Sequence, residues 1–137
     1  MPPTEVFLSH SSADRTFANG LVRVLRRHGI AVWYSRTNIV GAQQWHDEIG
    51  AALARCNRFI VVLSPDSVRS EWVKHELLFA LNSRRYKGRI VPLLYRPCHH
   101  HKLSWTLSSF QFVDFTRRAA DGYRELLRIW GIGYRPK

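Results

Sequence analysis

The most strand-like stretch of the chain reads Phe59-Ile60-Val61-Val62-Leu63. It is unbroken, apolar and rich in β-branched residues, which is typical of a central parallel strand with both faces covered. The segment that follows, Ser64-Pro65-Asp66-Ser67, carries the residue types that begin a turn and a helix. The pattern therefore predicts a strand in the middle of a sheet that leads directly into a helix.

Short apolar runs alternate with helical stripes on both sides of this strand, and this alternation predicts a parallel α/β sheet. The other predicted strands are residues 6–9, 30–34, 89–95 and 110–115. A helix follows each of the first three strands, a long polar loop (residues 35–44) precedes the second helix, and a further helix closes the chain. Five strands in so short a chain favour a flavodoxin-like, doubly wound fold with strand order 2-1-3-4-5 and helices on both faces.

This strand order predicts where a ligand binds. The order reverses between strands one and three, and open α/β sheets bind ligands beyond the carboxyl ends of the strands at such a reversal. The residues at that point are Ser9, His10 and Ser11 after strand one, and Ser64 and Pro65 after strand three.

Composition indicates one soluble domain that spans residues 1–137. The chain is 45% hydrophobic and 23% charged, which is enough for an ordinary core without disulfides. Two cysteines and the absence of a signal-peptide pattern indicate a reducing, cytoplasmic compartment. The apolar runs are far shorter than the roughly 20 residues of a membrane span, so no membrane partner is expected.

The charge balance points to anionic partners. The chain has 21 Lys and Arg against 10 Asp and Glu, a net charge of +11, and 17 of the cations are arginines. The arginine fork matches phosphates and carboxylates alike, so nucleic acid, phosphorylated small molecules and acidic proteins remain open. The basic clusters, within residues 23–27, 84–89 and 117–118, are dispersed over several elements, and such clusters are usually solvated faces. Nucleic acid is therefore not expected as a partner.

Trp72 and Glu76 are four residues apart on the third predicted helix and therefore share one face. They are offset by about 100° from Val73 and Leu77, which places them at the margin of the buried stripe. A carboxylate there can bind ribose hydroxyls and stabilise an oxocarbenium-like centre, and an indole can stack on a base. The spacing alone fits a structural role better, with the glutamate solvated near the helix start and the tryptophan packed.

Three segments together resemble the Toll/interleukin-1 receptor (TIR) domain family. Residues 6–14 resemble its first conserved box. Residues 31–34, with the following glycine-containing loop and Trp45, resemble its second strand and BB loop. The segment from Ser64 through Trp72 to Glu76 resembles the one with the catalytic glutamate of NAD-cleaving members. The resemblance covers residues 5 to about 95 and is closest to bacterial TIR domains of anti-phage defence systems.

The resemblance implies an NAD⁺ glycohydrolase that releases nicotinamide and ADP-ribose, or a cyclic or conjugated ADP-ribose. NAD⁺ is then the substrate, no separate cofactor or metal is implied, and Glu76 is the catalytic residue. The candidate walls of the substrate site are Ser9, His10, Trp33, Tyr34, Arg36 and Trp72. Helix capping by the serines and core packing of Trp33 are equally consistent with the sequence.

The loop after strand two departs from the family pattern. Ser35 stands where many members have an acidic residue, and Ile39-Val40-Gly41 replaces a common Pro-Gly pair. In related enzymes this loop packs across a neighbouring protomer, so the resemblance implies homotypic self-association. The alternative function is a non-catalytic signalling module that acts by TIR–TIR assembly, with Glu76 as a surface residue.

Other functions have weaker support in the sequence. Cys98-His99-His100-His101 lacks a second ligand pair at usable spacing, so we expect a solvated loop and no metal site. A flavin carrier would have a glycine in the loop after strand one, and a response-regulator receiver would have an aspartate at the end of strand three.

Overall fold

The computed structural model describes residues 2–34 and 42–136, with the side chains of residues 42–46 left undescribed. It contains a five-stranded sheet of order β2-β1-β3-β4-β5, in which every paired neighbour is parallel. The strands are β1 (Glu5–Ser9), β2 (Ala31–Tyr34), β3 (Arg58–Leu63), β4 (Ile90–Leu94) and β5 (Val113–Asp114). The predicted fold class and strand order are confirmed.

Helices cover both faces of this sheet. They are α1 (Arg15–Arg27), α2 (Ala42–Arg55), α3 (Pro65–Val68), α4 (Glu71–Leu81) and α5 (Ala119–Ile129). Leu21 of α1 and Leu126 of α5 lie in one core cluster, whereas Leu53 of α2 and Leu77 of α4 lie in the other. The α1 and α5 side and the α2 and α4 side therefore form two separate hydrophobic layers.

Strand alternation decides which side chains enter each layer. Phe59, Val61 and Leu63 of β3 face α2 and α4, whereas Ile60 and Val62 face α1 and α5. All five are fully buried, as the unbroken apolar run predicts for a strand in mid-sheet.

The third predicted helix is divided in two. Ser64 and Ser67 form a capping box that begins the four-residue α3, and the Ser70 hydroxyl accepts from the Val73 amide (3.3 Å) to begin α4. Gly29, with φ of +81°, follows the C-cap of α1 and lets the chain leave the helix.

Two boundaries differ from the predictions. The fifth strand covers only two of the predicted residues 110–115, because the Phe110 amide donates back to the Leu107 carbonyl oxygen at the end of a 3₁₀ turn and the ladder beside β4 begins at Val113. The second helix begins at Ala42, inside the loop predicted for residues 35–44, and the rest of that loop up to residue 41 lies outside the described residues.

Candidate active site

The site lies where β1 and β3, adjacent in the sheet, end at the same edge. Ser9 is the last residue of β1, and Ser64 directly follows β3. Ser9 shares its sheet face with Phe7, because alternate residues of a strand point the same way. That face is covered by α4, which packs against both strands.

Glu76 of α4 reaches this edge from above the sheet. The Ser9 hydroxyl donates a hydrogen bond of 2.6 Å to Oε1 of Glu76. Glu76 is 6% exposed and Ser9 is 1% exposed. The carboxylate therefore lies deeper than the predicted margin of the helix stripe, and Glu76 is not the surface residue that the alternative function expected. Burial is tolerated because the short Ser9 side chain supplies a hydrogen-bond donor.

The environment of Glu76 controls its ionisation. Burial penalises the charged form and raises the pKa of Glu76 to about 7, while the Ser9 hydrogen bond acts in the opposite direction. Protonated and ionised forms are thus both populated at neutral pH. A buried carboxyl group with such a pKa, held at the edge where open α/β sheets generally bind ligands, is typical of a functional site.

Two tryptophans lie on the same side of the sheet as Glu76. Trp72, one turn before it in α4, is half-buried against the core cluster there. Trp33 pairs with Phe7 across the β1–β2 ladder and stacks on its ring, with 4.9 Å between the ring centroids. Both indoles pack against the core, as expected if their role is structural, and both retain exposed surface.

The structure groups His10 and Tyr34 together on the α1 side. The Tyr34 hydroxyl donates to Oδ1 of Asn19 in α1 (2.9 Å), and the His10 and Tyr34 rings are 5.8 Å apart. Nδ1 of His10 lies 2.8 Å from the carbonyl oxygen of Ser11. Among the other predicted wall residues, Ser9, Trp33 and Trp72 share the side of Glu76, and Arg36 lies outside the described residues.

A second buried carboxyl group at this edge was missed in the sequence. The Ser64 hydroxyl donates to Oδ2 of Asp14 at 2.5 Å, and Asp14 is 5% exposed. Burial raises the pKa of Asp14, and the hydrogen bond from Ser64 lowers it. This contact joins the loops after β1 and β3. The topology places both residues after neighbouring strands, but it does not indicate that their side chains meet.

A cleft of about 600 Å³ opens farther along the same edge, between α3 and residues 97–102. Glu76 and Ser9 do not line it. Within residues 2–34 and 42–136, no three His, Cys, Asp or Glu side chains gather as metal ligands. No helix in the described part of the chain is long and apolar enough to cross a bilayer.

Comparison with known proteins assigns this chain to a family. The sequence profile of the TIR domain matches residues 6–127. The chain belongs to the TIR domain family. The match extends beyond residue 95, where the resemblance stated from the sequence ended, and includes β5 and most of α5.

Two bacterial relatives of this TIR domain have NAD-related names. The 2′ cyclic ADP-D-ribose synthase BtTIR of Bacteroides thetaiotaomicron is 31% identical over 74 residues, which cover 53% of this chain and 26% of the relative. The NAD(+) hydrolase TcpC of Escherichia coli O6:H1 is 30% identical over 90 residues, which cover 65% and 29%. The alignments thus span less than a third of each relative.

A solved structure supports the same family and fold. The crystal structure of the TIR domain of the Toll-related receptor TRR-2 from Hydra magnipapillata matches with a TM-score of 0.75 and 26% identity. The match covers 93% of this chain and 98% of the receptor domain. Relatives of this TIR domain therefore include both enzymes and a receptor.

Proposed function

We propose that this TIR domain cleaves the bond between nicotinamide and ribose in NAD⁺, with Glu76 as the catalytic residue. The observation that carries the proposal is the buried Glu76 carboxyl group, held by Ser9 at the sheet edge where α/β folds bind ligands. The names of the two bacterial relatives support the same reaction class.

The chemistry requires only one carboxylate. Nicotinamide is cationic in NAD⁺ and leaves as a neutral molecule with the electron pair of the broken bond, so no general acid is needed. Positive charge then develops at the anomeric carbon of the ribose. Ionised Glu76 stabilises this charge, and the buried setting strengthens the interaction because water screens it less.

Product formation follows from what attacks the anomeric carbon. Attack by water gives ADP-ribose and releases one proton, whereas attack by a hydroxyl of the same molecule gives a cyclic ADP-ribose and also releases one proton. In either case the Ser9 hydroxyl occupies Oε1 of Glu76 and leaves Oε2 to accept from ribose hydroxyls.

The proposed binding residues have different roles in this arrangement. Trp33 and Trp72 supply apolar walls on the side of Glu76, where a nicotinamide or adenine ring can stack. His10 and Tyr34, on the α1 side of the same strand ends, are proposed to contact the part of the dinucleotide that extends across the sheet edge. Arg36 is proposed as a phosphate contact because its guanidinium can bind phosphate oxygens in pairs.

Nicotinamide release from NAD⁺, separated by mass, tests the proposal. Replacing Glu76→Gln keeps the shape and removes the charge, so we expect turnover to be abolished while circular dichroism remains that of the wild type. Glu71→Gln is the matched control, because Glu71 lies on the same helix with its side chain 81% exposed. Turnover of Glu76→Gln equal to that of the wild type would eliminate the proposed role.

Further proposals concern the cellular setting. We propose that the domain works through homotypic TIR–TIR self-association, in the cytoplasm and in bacterial immune defence. The resemblance to defence-type TIR domains supports this setting.

A non-catalytic assembly module is the second candidate function. Leu78 and Phe79 of α4 are 37% and 51% exposed, which provides an apolar contact surface beside the site. The similarity to a Toll-related receptor domain also fits this role. A wild-type chain that self-associates but releases no nicotinamide at any concentration would favour this candidate over the enzyme.

A further inference from the structure

Arginines that are distant in the sequence gather on the sheet side opposite Glu76. Helices α1 and α5 pack side by side in one core cluster, and Glu76 belongs to a helix of the other layer. The guanidinium of Arg23 and the hydroxyl of Tyr123 both lie beside Gly20. The two helices are thus close enough for their polar side chains to share one surface.

The chain near its C-terminus completes this surface. Nη2 of Arg27 donates to the carbonyl oxygen of Arg135 (2.6 Å), and the Arg124 guanidinium lies 5.7 Å from the ring centroid of Tyr134. The rings of Tyr123 and Tyr134 are 5.9 Å apart. We call the group Arg23, Arg27, Arg124 and Arg135 the arginine face.

The positive charge of this surface is only partly compensated. Residues 15–28 contain four arginines and no acidic residue, and residues 117–136 contain five arginines and two acidic residues. Within the described ranges, the ion pairs of this surface all use Asp121 or Glu125 of α5. Arg26 and Arg27 of α1 instead donate to carbonyl oxygens, which carry no net charge.

We propose that the arginine face binds the phosphate backbone of nucleic acid, independently of base sequence. Phosphate contacts need only positive charge and N–H donors, and the arginine fork donates two parallel bonds to a phosphate. The basic residues are dispersed along the sequence, which argued against such a site, but the fold brings arginines of α1, α5 and the C-terminal segment onto one surface.

The surface chemistry favours nucleic acid over an acidic protein. Protein interfaces usually have an apolar core within a polar rim. Among the described residues, the large exposed hydrophobic side chains are Leu78, Phe79, Trp105 and Ile129. Only Ile129 belongs to α1 or α5, so the arginine face lacks an apolar core.

Fluorescence anisotropy with labelled duplex DNA and single-stranded RNA of about 20 nucleotides per strand tests the proposal at about 50 to 200 mM salt. The test variant combines Arg23→Gln, Arg27→Gln and Arg124→Gln. We expect its affinity to fall roughly tenfold or more and its salt slope to fall by about one for each phosphate contact removed. Nicotinamide release should be unchanged, because the arginine face lies across the sheet from Glu76.

Two control variants separate the face from general effects. The first is a triple variant that removes the same charge from exposed residues between α4 and β4, namely Arg84→Gln, Lys87→Gln and Arg89→Gln. It should bind nucleic acid as tightly as the wild type. Replacing Arg23, Arg27 and Arg124 with lysine keeps the charge and should largely preserve the salt slope. Circular dichroism checks that each variant is folded.

Three results would overturn the proposal. The first is no binding of either nucleic acid by the wild type at the lower salt concentration. The second is an equal loss of nucleic-acid affinity in the two triple glutamine variants, which would mean that total charge alone is responsible for binding. The third is equal or tighter binding to poly-glutamate or to vesicles with anionic phospholipids, with the same dependence on the face variants. None of these readouts depends on NAD⁺ cleavage, so the two proposals fail separately.

Discussion

At the scale of single residues, the hydrogen bond from Ser9 should control the pH at which Glu76 becomes active. The proposed reaction needs the ionised carboxylate, and the pKa of Glu76 is about 7. Because the Ser9 hydroxyl lowers this pKa, Ser9→Ala should raise it and move the ascending limb of the pH profile to higher pH. The kcat/KM profile measures this, since it reports ionisation in the free enzyme.

Ser9→Thr is the control for this prediction, because it keeps a hydroxyl at the same position. Its ascending limb should stay near that of the wild type, even if the extra methyl group lowers stability. A Ser9→Ala limb that coincides with the wild-type limb would show that the hydrogen bond does not influence the ionisation of Glu76.

Burial of Glu76 should also cost stability in a definite pH range. The folded-state pKa of about 7 lies above the ordinary value of 4.5, so the folded state binds the proton more tightly than the unfolded state. The free energy of unfolding should therefore fall as pH rises from about 4.5 to 7, by on the order of 3 kcal/mol. Urea unfolding should show Glu76→Gln close to the wild type near pH 4.5 and more stable at pH 8. An equal difference at both pH values would contradict the assigned burial cost.

At the scale of elements, two helical glycines should respond in opposite ways to replacement by alanine. A Cβ at Gly122 of α5 would overlap the buried ring of Phe115, so Gly122→Ala should destabilise the fold by about 1 to 3 kcal/mol. A Cβ at Gly20 of α1 would make an ordinary contact of 3.6 Å with Tyr123, so Gly20→Ala should stabilise it by about 0.5 to 1 kcal/mol. Thermal unfolding of both variants checks the pair, and a Gly122→Ala variant as stable as Gly20→Ala would mean that α5 can move away from Phe115.

The elements also show what the sequence can and cannot predict. Central strands were predictable because β3 is buried on both faces and its apolar run has no interruption. The extent of the edge strand β5 was not, because Phe110 has the apolar character of a strand residue but closes a turn onto the Leu107 carbonyl oxygen. Local pattern does not distinguish ladder pairing from a turn at a sheet edge.

For the site, the sequence predicts the edge but not which side chains meet there. Topology brings Ser9 and Ser64 to the same edge, and helical spacing brings Trp72 and Glu76 to one face. The contacts between Ser9 and Glu76 and between Ser64 and Asp14 join residues 67 and 50 positions apart. Such pairs depend on how α4 and the loops settle on the sheet, which periodicity does not encode.

At the scale of the whole molecule, the net charge of +11 should oppose the proposed self-association. Like-charged copies repel one another over a Debye length of about 30 Å at 0.01 M salt, and about 8 Å at 0.15 M. If assembly completes the active site, nicotinamide release per chain should rise with protein concentration. Because salt screens the repulsion, the protein concentration at which this rise occurs should be lower at higher salt. Nucleic-acid binding by the arginine face should show the opposite salt dependence, because salt weakens phosphate contacts. Turnover per chain that is independent of both concentration and salt would mean that a single copy already holds a complete site.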